Sequence, residues 1–205
     1  MKYEFVPGDE IVIAPGRTVK RIRALVAIDL FGVSPGDLGG YVESEKKLAQ
    51  VSGNAWVSGN AQVSGNAWVF GNAQVSGDAQ VSGNAWVSGN AQVSGNAWVF
   101  GNAWVSGNAQ VSGNAWVSGN AQVSGNAWVF GDADLLVIGP AKSSGRYTTS
   151  HKDETIGVRV NCDCFSGTVL EFSRAIEETH ANNKEALEQY RLFCQLIAFN
   201  FGVEA

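Results

Sequence analysis

From residue 51 to residue 134 the apolar and polar positions follow one six-residue frame, repeated fourteen times without an insertion. Val holds position one, Gly three, Asn or Asp four and Ala five, and variation is confined to position two (Ser or Phe) and position six (Trp, Gln or Asp). In an extended segment alternate side chains face opposite ways, so Ala-(Trp/Gln)-Val-(Ser/Phe) sends Ala and Val to one side and the larger or polar pair to the other. The Gly-Asn pair then turns the chain, because Gly accepts positive φ and Asn tolerates it. Each unit reads as one short strand plus one corner. Self-similarity at so short a period is the signature of a solenoid whose thin interior is filled by Val and Ala.

The flanking segments break the period. Short strands are predicted at Tyr3–Val6 and Ile11–Ala14, separated by Pro7-Gly8, and a longer one over Thr18 to Ile28, where Lys20, Arg21 and Arg23 alternate with apolar residues as one solvated face. Ser34-Pro35-Gly36-Asp37 is a turn. After the repeat, Arg146–His151 and Ile156–Val160 predict a hairpin around Lys152-Asp153-Glu154. Thr168-Val169-Leu170-Glu171 is a capping box opening a helix that presents Val169, Phe172 and Ile176 on one face. A second helix over Lys184 to Phe201 carries Leu187, Tyr190, Cys194, Ile197 and Phe201 in one stripe, widened by Leu192, Phe193, Leu196 and Phe199. That surplus predicts packing on the first helix and the end of the rod, or a dimer seam. The organisation is an N-terminal β cap (1–50), the repeat (51–134) and a small α+β C-terminal cap (135–205), since an open solenoid end left uncovered would template stacking.

The six-residue unit resembles the hexapeptide pattern of left-handed parallel β-helices, with an aliphatic at position one and a small residue at position five. The resemblance implies an all-β solenoid core, triangular, with 18 residues per coil; a two-sided coil of twelve residues is the lesser alternative. At roughly 4.8 Å between stacked strands the rod would be about 22 Å long. With eighteen residues per coil, one outward column is Gln50, Trp68, Trp86, Trp104 and Gln122, with Phe70 beside it. The second is Trp56, Gln74, Gln92, Gln110 and Trp128, with Phe130; the third is Gln62, Gln80, Trp98, Trp116 and Asp134, with Phe100. Stacked aromatics at strand spacing stabilise a parallel ladder. Exposed, contiguous apolar residues also mark partner sites, and Trp is enriched at interface hot spots. The candidate partner-binding residues are therefore Trp68, Phe70, Trp86, Trp104, Trp98, Phe100 and Trp116.

A closer resemblance rests on Arg21-Ile22-Arg23-Ala24-Leu25, on Gly36-Asp37-Leu38-Gly39-Gly40-Tyr41-Val42-Glu43 and on the Gly-Asn-Ala-Trp-Val units, which are similar to YdcK-like hexapeptide-repeat proteins of bacteria and their prophages. Val137-Ile138-Gly139-Pro140, Cys164-Phe165-Ser166-Gly167-Thr168 and Thr179-His180-Ala181-Asn182-Asn183 agree with the prophage relatives. The resemblance implies a capped left-handed β-helix of a type often labelled an acyltransferase. It supplies no catalytic residue to carry over.

Charge narrows the function. The formal net charge is −5, yet the repeat holds three Asp and no Lys or Arg. Phosphate contacts need clustered cations, so nucleic acid is not expected as a partner. Cys162, Cys164 and Cys194 are an odd set with no paired spacing, read as reduced structural thiols, and no metal site is expected. Met1-Lys2-Tyr3-Glu4 begins a mixed run, so neither a signal peptide nor a membrane span is expected, and the location is cytoplasmic, in the host cell if the protein is phage-encoded.

Hexapeptide-repeat acyltransferases use a His as general base beside a groove that holds acyl-CoA. Here His151 and His180 both lie outside the coils, no loop interrupts the hexads, and no basic cluster awaits nucleotide phosphates. No catalytic residue and no cofactor are expected. The reading that remains is a non-enzymatic interaction or scaffold protein of phage or prophage type, binding a protein partner or forming a homo-oligomer (dimer or trimer), with inhibition of host defence as one setting. The alternatives are an acyl-CoA-dependent acyltransferase and a glycan-binding rod.

Overall fold

The structure is a computed structural model that describes residues 1–49 and 53–204; the predicted opening of the repeat at Val51 and the column position Gln50 lie outside the described residues. Strands β1 (Tyr3–Ala14), β2 (Arg17–Ala24) and β3 (Leu38–Val42) come first. Thirteen two-residue strands then recur every six residues, from β4 (Trp56–Val57) to β16 (Trp128–Val129). The chain ends in β17 (Leu135–Ile138), β18 (Thr148–Asp153), β19 (Gly157–Cys162), β20 (Phe165–Gly167), α1 (Val169–Thr179) and α2 (Lys184–Phe201).

The middle of the molecule is a parallel β-solenoid. Gln92 pairs with Gln74 on one side and Gln110 on the other, Trp86 with Trp68 and Trp104, and Trp98 with Gln80 and Trp116. Each strand thus meets the chain again 18 residues on, and successive strands fall on three sheets in turn. Val and Ala point into the tube, where all are at most 1% exposed from Ala55 to Val129. Leu48, bridged to Val69 and 1% exposed, closes the same core at its N-terminal end. At the corners, Asn side chains form their own ladder: the Asn72 Nδ2 donates to Asn90 Oδ1 at 3.1 Å and Asn90 to Asn108 at 3.0 Å. Asp78 accepts from Asn60 at 3.1 Å but, lacking an amide, cannot pass the chain on.

At the N-terminal end, β3 serves as part of a preceding coil. It pairs in parallel with β5 (Gln62–Val63), the Tyr41 and Glu43 amides donating to Ala61 and Val63 carbonyls. The antiparallel pair β1 and β2 extends that sheet outward. Pro7-Gly8 does not divide β1 into two strands as predicted. One strand spans both halves, with a register irregularity between Phe5 and Glu10 that spares the ladder a residue without an N–H. Arg21, predicted on a solvated face, instead binds Asp9 at 3.1 Å, the Tyr41 hydroxyl at 2.7 Å and the Gly59 carbonyl at 3.0 Å.

Trp56 corrects the outward column of the second face. It is only 2% exposed and belongs to the buried cluster that runs from Tyr3 and Ile22 of the N-terminal sheet into the tube. By alternation it points away from Ala55 and Val57, but at this first coil the N-terminal segment leaves no open outer wall. The C-terminal segment has a second cluster of its own, in which Val158 and Val160 of β19 meet Phe172 and Ile176 of α1 and Tyr190, Phe193 and Ile197 of α2. The hairpin is β18–β19, turning one to two residues later than predicted. The capping box forms as read: Thr168 Oγ1 accepts from the Glu171 amide at 3.2 Å, and Glu171 accepts from the Thr168 amide at 2.8 Å.

Candidate functional site

The aromatic side chains at position six are held by the parallel register, which places equivalent residues one strand spacing apart. Trp68, Trp86 and Trp104 stack in one column, with ring centroids 6.0 and 5.4 Å apart and planes inclined by 14° and 22°. Phe70 meets Trp86 edge-on at 5.7 Å. On another sheet Trp98 stacks on Trp116 at 5.4 Å and 10°, and Phe100 meets Trp116 edge-on at 5.8 Å. The two sets lie on different sheets, so the seven candidate residues form two surfaces. On the third sheet Trp128 and Phe130 form a T-shaped pair at 4.7 Å.

These five indoles are between 38% and 54% exposed, while Phe70 and Phe100 are half-buried. Stacking covers the ring faces inside each column, so what a column presents sideways is a row of indole edges. The faces still open are those at the column ends. Trp104 is followed in register by Gln122, whereas Trp116 is on the last strand of its sheet. Around both ladders the rod contributes Ser, Gln and Asn but no cation.

The C-terminal end of the rod shows residues that sequence reasoning missed. The last coil has amides with no following coil to accept them, and β18 supplies side chains in their place. Gln122 N donates to Thr149 Oγ1 at 2.9 Å, Ser124 N to His151 Nε2 at 3.4 Å and Asn126 N to Asp153 Oδ2 at 3.2 Å. Asn161 Nδ2 donates to the Gln122 carbonyl at 2.9 Å, and the Glu154 amide to the Asn126 carbonyl at 3.1 Å. Asp134 Oδ2 accepts from the Phe130 and Gly131 amides at 2.9 and 3.2 Å. Thr149, His151 and Asp153 are spaced by two, as one face of a strand requires. The signal in the sequence was this polar alternation, Thr-Ser-His-Lys-Asp, in a strand too polar to be facing an apolar core.

Electrostatics suit that role. Burial would raise the Asp153 carboxyl, but the Arg159 guanidinium at 2.7 Å and the Thr155 hydroxyl and amide outweigh it and hold Asp153 well below the usual carboxylate range. Burial pushes His151 below its ordinary 6.5. Its neutral imidazole accepts at Nε2 from Ser124 and Asn161 and bonds the Lys152 carbonyl through Nδ1 at 3.0 Å, so Nδ1 carries the proton. His180 stacks on Tyr190 at 5.1 Å. Cys162 and Cys164 line one cavity between β19, α1 and α2, and among the described residues no group of three His, Cys, Asp or Glu is placed to hold a metal ion. Among the same residues no helix is long and apolar enough to cross a membrane.

The apolar stripe predicted on α2 divides. Tyr190, Phe193, Cys194 and Ile197 are buried, whereas Leu192, Leu196 and Phe199 face outward, Phe199 at 87% exposure. Compared with known families, residues 49–63, 61–77, 79–93, 91–107 and 109–125 match the YdcK Beta solenoid repeat. No curated protein matches the chain.

Proposed function

We propose that this chain, whose residues 49–125 carry the matches to the YdcK Beta solenoid repeat, is a YdcK-type β-solenoid protein acting as a non-enzymatic interaction scaffold of phage or prophage type. It binds a protein partner, or copies of itself as a dimer or trimer, through the aromatic columns and the apolar end segment, in the cytoplasm of the cell that hosts it. Inhibition of a host defence system is one setting for such a scaffold.

The observation that carries this reading is the three-indole ladder of Trp68, Trp86 and Trp104, partly exposed on a face with no charged neighbour in the repeat. An indole edge offers apolar area and one N–H donor, the combination enriched where interfaces are tightest. The repeat's own Ser and Gln beside the ladder add hydrogen bonds without the desolvation cost of ions, while the end segments bring Lys46 next to Trp68 and Trp86 and Asp163 next to Trp104. A rod without Lys or Arg also disfavours nucleic acid. Leu192, Leu196 and Phe199 add a second apolar strip.

Light scattering and affinity capture from extract of the native host test the proposal together. The expected result is that Trp86→Ser with Trp104→Ser either lowers the solution mass from that of a dimer or trimer to that of a monomer or lowers the recovery of a captured protein at least tenfold. An unchanged mass and an unchanged capture profile in this variant, and in Trp116→Ser, would refute it and leave the ladders a purely internal stabilising device.

A further inference from the structure

We infer that the C-terminal end of the shorter ladder is a carbohydrate subsite, with Trp116 as its stacking platform and Asp132 and Asn120 as its polar partners, suited to a single hexopyranose ring. A cavity of about 360 Å³ opens there, lined by Trp116 and Asn120 of the rod, by Asp132, Leu135 and Val137 of the chain leaving it, and by Tyr147. Its size lies in the range of small-molecule sites.

Three observations give the ligand class. First, Trp116 is braced on the side of the preceding coil by Trp98 at 5.4 Å and by the Phe100 ring at 5.8 Å, and its strand is the last of its sheet. The ring is therefore rigid and its far side is uncovered by a further strand; Trp116 is 54% exposed. Second, Asn120 ends its amide ladder. Its Oδ1 accepts from Asn102 Nδ2 at 3.1 Å, and the position 18 residues further is Ile138, so its own Nδ2 has no successor to donate to. Third, Asp132 is exposed and takes part in no hydrogen bond or ion pair among the described residues, unlike its neighbour Asp134.

An open indole, an unspent amide donor and an unspent carboxylate acceptor have one common complement. A pyranose places an apolar C–H face on the ring while its hydroxyls both donate and accept around the edge. A quaternary ammonium group would suit an aromatic wall and a carboxylate, but it would bury the Asn120 donor with nothing to accept from it. The ladder sides are not involved, so the site stands whether or not they bind a protein.

The test uses the full chain and four methyl glycosides, of glucose, galactose, mannose and N-acetylglucosamine, read by saturation-transfer NMR and tryptophan fluorescence. At least one should bind saturably, with transfer strongest to its ring C–H protons. Asp132→Asn should weaken it by about tenfold to a hundredfold, as expected for a hydrogen bond to a charged group, and Trp116→Ser should abolish it, while Trp86→Ser leaves it unchanged. Because Asp132 is exposed, Asp132→Asn remains informative if Trp116→Ser does not fold. Failure of all four glycosides to bind, choline binding in their place, or equal binding by wild type and Asp132→Asn would each overturn the assignment.

Discussion

Two glycines at the same place in the repeat make a controlled pair. Gly89 and Gly119 both sit at the corner with positive φ, +67° and +64°. A Cβ on Gly89 would lie 2.9 Å from both N and O of Gly107 in the next coil; one on Gly119 would meet nothing within 4 Å. Gly119→Ala therefore carries only the left-handed backbone cost, about 1–2 kcal/mol, partly offset by the stiffer unfolded chain, roughly 0.4–1 kcal/mol. Gly89→Ala carries the same plus a clash between two backbones that the stacked coils cannot move apart locally, about 1–3 kcal/mol more by analogy with overpacked cores. For a chain of this size each kcal/mol is worth about 2–4 °C in Tm, so the two variants should melt roughly 2–12 °C apart. Differential scanning calorimetry on both, with wild type, measures this directly. Equal melting temperatures would refute the argument that coil-on-coil approach, beyond positive φ, excludes side chains from the third position of the unit.

Other outcomes follow from the ends of the rod. Asp153→Ala removes the acceptor of the Asn126 amide and the partner of Arg159 together; leaving a buried charge without its mate should cost about 3–5 kcal/mol in urea denaturation, and a loss below 1 kcal/mol would contradict the stopper role. His151 has a folded-state value below its ordinary 6.5, so the unfolded chain takes up the proton first. Its contribution is therefore present above pH 6.5 and lost as pH falls below it; His151→Asn should flatten the stability curve between pH 7 and the onset of acid unfolding, roughly pH 5. Asp153 acts in the same direction but only below 3.8, where the unfolded carboxylate protonates. Thr168→Ala should shorten α1 at its start and cost about 1 kcal/mol, visible as a smaller helical circular dichroism signal and a lower urea midpoint.

The parts legible from sequence were those governed by a local rule repeated or flanked by punctuation. The Val and Ala positions are predicted inward from alternation and size, and from Ala55 to Val129 they are buried, whereas Ala133 of the last unit is exposed because the chain has already left the coil. α2 is read over Lys184 to Phe201 from its apolar stripe, and the structure adds the cause of its ends: the Asn183 side chain accepts from the Ala186 amide, and Gly202 follows in the left-handed conformation. What could not be read depended on contacts distant in the chain. Trp56 obeys the same local pattern as Trp68, yet only the folded N-terminal segment makes it a core residue. Thr149, His151 and Asp153 looked like an ordinary hairpin strand, because the amides they accept lie about 27 residues earlier and are orphaned only by the ending of the coil. The Trp116 cavity was hidden for a similar reason, since Leu135, Val137 and Tyr147 reach it from a part of the chain with no repeat.

Because the last amides are met by side chains of one strand, the fit depends on which of the three sheets that strand finds above it. Adding eighteen residues to the middle of the rod would deliver the same amides to β18 in the same orientation and simply yield a longer protein. Adding six would turn the closing strand by a third of the circumference onto a different row of amides. The repeat number is thereby quantised in threes, and variation in length among chains built this way should proceed by whole circuits.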